Sequence, residues 1–356
     1  MHNHRLRDRL SKTTHSQRWL LLIISTALLC LAIAGTEYFH RSTRTNPGLP
    51  AATLTAQEFD QAQHTLTDLL KTDGLAAAFA YAHQQLASNP AFARSCHPLM
   101  HHLGHDALTS LGDFSTAMSQ ADELCNSGFV HGLIEARFMT APSIDGALAT
   151  TCPKDTAHNF PQWQCFHGVG HGVMYATNKD VGTSLAFCAT LPDSFAQRAC
   201  TNGVFMERFI IVSHTGEHTA HSAIPDLKTC QTQPEPFKDD CYTYAPSAFL
   251  ELRPNRYSEA LQWCHQSEKN YVLTCTNGVG AQVMKENITN PSFAALFCQG
   301  LSSLSVQNSC ARGAVSLYMN HYSSVEKAAL LCDGIFKTLQ HSCHETIASG
   351  RKLFSS

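Results

Sequence analysis

The sequence predicts an all-α fold, a solenoid of αα-hairpin repeats stapled by disulfides, and three observations carry that prediction. Eight cysteines, Cys96, Cys125, Cys165, Cys200, Cys241, Cys275, Cys310 and Cys343, recur at steps of 29 to 41 residues. A period of about 35 residues marks a repeat protein. Six more, Cys152, Cys188, Cys230, Cys264, Cys298 and Cys332, each stand 11 to 13 residues ahead of a grid cysteine. Leu- and Ala-rich runs end at these earlier cysteines, as in Ala294-Ala-Leu-Phe-Cys298 and Ala328-Ala-Leu-Leu-Cys332, and read as the last turns of amphipathic helices.

Residues 1–18 form a basic tail, with Arg5, Arg7, Arg9, Lys12 and Arg18 against the single acid Asp8. Residues 19–39 come next as a transmembrane anchor or signal segment, uncharged from Trp19 to Ala34. Positive charge ahead of an apolar run keeps the N-terminus in the cytoplasm and exports the rest of the chain, to a periplasm or extracellular space. Tyr38 and Phe39 suit a membrane interface and favour an uncleaved, single-pass anchor; Ala32-Ile-Ala34 resembles a cleavage site and leaves secretion as the alternative. Residues 40–55, with Pro47, Gly48 and Pro50, read as a linker.

The exported repeat domain spans 56–356. In each unit a helix ends at the first cysteine, a polar stretch such as Ser302–Asn308 comes after it, and a second helix begins at the grid cysteine. Closing a loop of about ten residues with a disulfide contributes about 2–3 kcal/mol, chiefly by restricting the unfolded chain. Persistent disulfides require the oxidising compartment that export provides. Zinc is the other use of paired cysteines, but no C-x2-C spacing occurs. Cys96 and Cys125 have no partner within their own units and either pair with each other or remain thiols; Cys30 lies in the apolar segment and belongs to no bridge. With net charge −3 and charged residues at 15%, there is no basic stripe for nucleic acid.

The chain has 21 histidines, and their placement breaks the repeat. Aligned on the grid cysteine, Gly recurs three positions later (Gly128, Gly168, Gly203, Gly278, Gly313), which suggests close approach of neighbouring helices. Six positions later stand His102, His131 and His171 in the first three units, then Met206 in the fourth. Ten positions later the first two units carry Asp106 and Glu135, i, i+4 neighbours of their histidines. His101 and His105 form a further i, i+4 pair, and His167 precedes His171 by one turn.

Stacking places these stripes along one groove, so His102, His131 and His171, with His101, His105 and His167 beside them, are the expected ligands of a transition metal ion, Zn, Fe or Cu. Asp106 and Glu135 are the expected orienting or proton-transfer groups. The inventory fits a metal-dependent hydrolase or oxidase equally, and Met206 adds a copper reading against its ordinary role as core filler. A haem-attachment C-x-x-C-H and a G-x-S-x-G elbow are both absent. His214, His218 and His221 lie in an enlarged unit, as a lid over the site or as a solvated polar loop.

In unit length and hairpin plan the architecture is similar to Sel1-like and tetratricopeptide repeats, especially exported forms stapled by cysteines. That resemblance implies a curved surface for protein or peptide partners, and with it the alternative of a non-enzymatic scaffold. Tyr242, Tyr244, Glu251 and Arg253 are the residues for such a surface.

Overall fold

Every grid cysteine lies on a long helix, and the earlier cysteine of each close pair lies at or near the end of a short one. The structure, a computed structural model, describes residues 53–153, 158–209 and 226–354. Its helices are α1 (Ala56–Asp73), α2 (Leu75–Ser88), α3 (Pro90–Leu111), α4 (Phe114–Ser119), α5 (Leu124–Thr140), α6 (Ile144–Thr151), α7 (Phe160–Ala176), α8 (Val181–Cys188), α9 (Ser194–Phe209), α10 (Lys228–Gln231), α11 (Glu235–Leu252), α12 (Tyr257–Cys264), α13 (Val272–Glu286), α14 (Pro291–Gln299), α15 (Leu304–His321), α16 (Val325–Gly334) and α17 (Gln340–Phe354). The described residues contain no strand.

All seven bridges are formed: Cys96–Cys125, Cys152–Cys165, Cys188–Cys200, Cys230–Cys241, Cys264–Cys275, Cys298–Cys310 and Cys332–Cys343. Six tie a short helix to the long helix next in the chain. Cys96–Cys125 differs, joining the long helices α3 and α5 directly. The second helices also start earlier than the cysteine grid suggests. Helix α9 begins at Ser194, ahead of Cys200, and α15 at Leu304, ahead of Cys310. The expected polar stretch Ser302–Asn308 is therefore mostly helix, because Ser303 is an N-cap whose hydroxyl accepts from the Val306 amide.

The long helices α3, α5, α7, α9, α11, α13, α15 and α17 pack each against the next. Their buried faces form one continuous core, through Phe92, Leu103, Phe129, Phe205, Tyr242 and Phe336. The row also curls. Helix α15 reaches α5, where the Ser323 hydroxyl donates to the Glu123 carbonyl at 2.9 Å across 200 residues of sequence. At the other edge Arg94 on α3 lies in electrostatic reach of Glu286 at the end of α13.

The anchor expected at 19–39, its tail and the linker as far as residue 52 lie outside the described residues, as do His214, His218 and His221. No described helix is long and apolar enough to cross a membrane.

Beside α9, Asp240 is buried and accepts from the Asn202 side-chain amide at 2.9 Å; burial pushes its carboxyl up to about 6. Because the folded value exceeds the unfolded one, the stabilising effect of the neutral acid is complete below about pH 4 and is lost as pH rises through about 6. Asp240→Asn is accordingly expected to raise the melting temperature at pH 8 and to leave it unchanged at pH 4. Thermal melts at the two pH values decide this, and equal shifts would remove Asp240 as the cause.

Candidate metal centre

Three ordinary helix signals and one unusual turn assemble the site. Asn89 caps α3 by accepting from the Ala91 and Phe92 amides, with Pro90 in the first turn, and Gly112 ends the helix in the left-handed region. That length puts His97, His101 and His105 on successive turns of one face. Asn159 caps α7, which carries His167 and His171 one turn apart. Helix α9 supplies Met206 and Glu207.

The unusual turn opens α5: Cys125, Asn126 and Ser127 take φ of 57°, 57° and 56°. Left-handed backbone costs non-glycine residues roughly 1–2 kcal/mol each. The Cys96–Cys125 bridge holds the turn against α3, and the turn aims the Cys125 carbonyl at His97 Nδ1, 2.8 Å away.

Close helix contact then brings the rings together. A Cβ on Gly132 would run into the backbone carbonyl of His101, and one on Gly203 into that of His167, so α3 meets α5 and α7 meets α9 nearly backbone to backbone. His101, His131, His171 and Glu135 are completely buried, and His167 and Glu207 almost so. Ring centroids stand 5.5 Å apart for His101 and His131, 5.1 Å for His131 and His171, and 5.5 Å for His101 and His171.

The outer partners set the tautomers. A carbonyl only accepts, so His97 Nδ1 donates to Cys125. His101 Nδ1 faces Glu135 at 3.1 Å and His171 Nδ1 faces Glu207 at 3.1 Å, and each donates to its carboxylate. In the neutral rings the lone pairs are then on Nε2. With both rings neutral, those of His97 and His101 face each other across 3.1 Å, an arrangement that repels unless a metal ion or an added proton lies between them. Two nitrogens held tetrahedrally by one zinc-sized ion at about 2.0–2.1 Å would stand about 3.3–3.4 Å apart. The second pair, His167 and His171, has its Nε2 atoms 3.2 Å apart.

Glu135 is the hub. Besides His101 it accepts from His105 Nε2 at 2.9 Å and lies 3.4 Å from His171 Nδ1. Lys179 reaches Glu207 at 3.3 Å, the Met206 sulfur is 3.3 Å from His167 Nε2, and His131 Nε2 lies 3.2 Å from the Gln164 side-chain oxygen. His131 Nδ1 is buried and finds no hydrogen-bond partner among the described residues, while the His167 ring lies beside the Asn202 side chain. Burial, then the neighbouring imidazoles, push both rings well below the usual histidine range, so both are neutral donors of lone pairs at pH 7. Burial and then the Glu207 and Glu135 carboxylates raise the Tyr175 hydroxyl, which stays protonated.

These buried His and Glu groups are placed so that they could hold a metal ion: His97, His101 and His131 offer ligand atoms within 4.8 Å of one another, as do His131, His167 and His171, and as do Glu135, His171 and Glu207. Of the residues expected from sequence, the structure brings together His101, His131, His167, His171 and Glu135, with His105 on the outer side of Glu135. His102 and Asp106 are elsewhere, which corrects their assignment to the groove. The His102 ring meets Phe59 edge-on at 5.8 Å, and Asp106 accepts from the Thr67 hydroxyl. The reason is register. Cys96 is bonded forward to Cys125 instead of back to a short helix, so aligning on it misplaces the first unit by one residue, about 100° around the helix.

His97 and Glu207 also belong to the cluster and were not singled out from the sequence. A sequence signal existed: His97-x3-His101 recurs two units later as His167-x3-His171, and a glutamate stands 34 residues after His101 and 36 after His171. The chain matches no known family model, no curated protein and no solved structure.

Proposed function

We propose that this chain binds a transition metal through the histidines of α3, α5 and α7, inside a disulfide-stapled helical repeat domain exported to an oxidising compartment and held there by its N-terminal segment. The observation that carries the metal reading is the approach of His97 Nε2 to His101 Nε2 at 3.1 Å, ligand spacing, with both Nδ1 atoms facing acceptors and His131 within reach. Carboxylate or carbonyl behind a ligating imidazole is the usual outer support of a metal site. Imidazole ligands suit Zn, Fe or Cu, and the Met206 thioether beside His167 favours copper among them. Glu135, buried and shared by three imidazoles, acts as an orienting group; His105, partly exposed, links it to solvent and supplies the proton path that a hydrolytic or oxidative step would use.

The protein, purified with its bridges intact and without a histidine tag, is expected to carry near-stoichiometric metal by elemental analysis. A His97/His101/His131→Ala variant that keeps its helical circular dichroism and shows no new free thiols is expected to carry none. A parent that holds no metal even after reconstitution would sink the proposal.

One observation supports a second, compatible reading as a partner-binding scaffold. Leu296 and Leu330 each stand two residues before the first cysteine of consecutive hairpins and are 54% and 73% exposed, an apolar row open to a peptide or protein.

A further inference from the structure

The ligand groups of the cluster are duplicated. On α3 and α5 stand His97, His101 and Glu135; on α7 and α9 stand His167, His171 and Glu207. Each arm has two Nε2 atoms at ligand spacing, 3.1 Å and 3.2 Å, and a carboxylate accepting from the Nδ1 of its second histidine, at 3.1 Å in both. Each arm also has a glycine that presses the second helix onto the first, Gly132 and Gly203.

The two arms do not merge into one ligand set. His97 and His101 gather with His131, and His167 and His171 gather with His131, but the two pairs share no common cluster. His131 alone belongs to both, at 5.5 Å from the His101 ring and 4.8 Å from that of His167. It is completely buried, and its Nδ1 has no partner among the described residues. Aligned on the grid cysteine, the fourth unit carries Met206 where the second carries His131, so the duplication leaves a single imidazole between two arms.

Resting on the metal-binding reading above, we infer that the cluster is a two-ion centre: one transition metal ion on His97 and His101, a second on His167 and His171, with His131 between them as the one imidazole within reach of both, its single lone pair on Nδ1 ligating one of the two because Nε2 donates to Gln164. The second position differs from the first by the Met206 sulfur, 3.3 Å from His167 Nε2, so the softer ion of a mixed pair goes there. Glu135 and Glu207 supply one negative charge to each ion from behind its histidine pair.

The full-length protein, stripped with chelator and reloaded with Cu(II), tests this. Two copper ions per chain are expected by elemental analysis, with an integrated electron paramagnetic resonance intensity well below the copper content because the neighbouring spins interact. His97→Gln/His101→Gln and His167→Gln/His171→Gln are each expected to retain one ion, now with full signal intensity. Saturation of the parent at one ion overturns the two-ion inference and leaves the metal reading standing, as does loss of all metal in both paired variants. Saturation at zero overturns both. The stoichiometry of the parent decides the question even where a variant fails to fold.

Discussion

Glu135→Gln is expected to weaken metal binding by about 100-fold or more, judged from the about 10–100-fold that one supporting carboxylate is worth. The side chain accepts from His101 Nδ1 and His105 Nε2 and lies beside His171 Nδ1, so it orients a ring in each arm. Glutamine keeps the volume but offers one acceptor and an amide that confronts the N–H of the other imidazole. A competition titration against a chromophoric chelator measures the loss. Asp106→Asn, a carboxylate on the same domain held by Thr67, is the control and is expected to leave affinity unchanged. Equal affinities for parent and Glu135→Gln would remove Glu135 from the site.

Gly132→Ala is expected to cost about 1–3 kcal/mol or more, the range for forcing an extra carbon into a packed core, and to lower metal affinity with it. The new methyl would collide with the His101 carbonyl, which is backbone and cannot swing aside as a side-chain end can. Helix α5 would have to back away from α3, taking Glu135 from His101 and His131 from both arms. Gly334→Ala is the comparison: nothing lies within 4 Å of its added carbon, and it sits on an exposed helical turn. There the substitution is expected to be neutral or stabilising, since alanine orders a helix at lower entropic cost. Chemical denaturation of both variants reads the difference, and similar losses would argue that close helix contact is not what holds the site.

Much of the fold was legible because bridges and glycines leave regular marks. The cysteine spacing identified the pairs that the structure forms, and the recurring glycines at Gly203, Gly278 and Gly313 do face neighbouring backbone. The site was legible less fully. Periodicity pointed to His131 and His171, whose rings the structure does bring together, but could not see that α3 presents His101 in place of His102. That choice is made by a bridge between long helices and by three left-handed residues, Cys125 to Ser127, neither of which has a periodic signature. Glu207 escaped because its partner, His171, lies on another helix; pairing across helices is a property of packing.

The seven bridges have one further property. Taken in chain order, the bridged cysteines pair first with second, third with fourth, and so on to Cys332 with Cys343. A chain oxidised from its N-terminal end as it emerges therefore meets each native partner as the next thiol to arrive, and no bridge has to reopen to let a later one form. Pairing of consecutive bridged cysteines is the order that asks least of disulfide isomerisation. The first bond made on that schedule, Cys96–Cys125, is also the one that sets His97 in place.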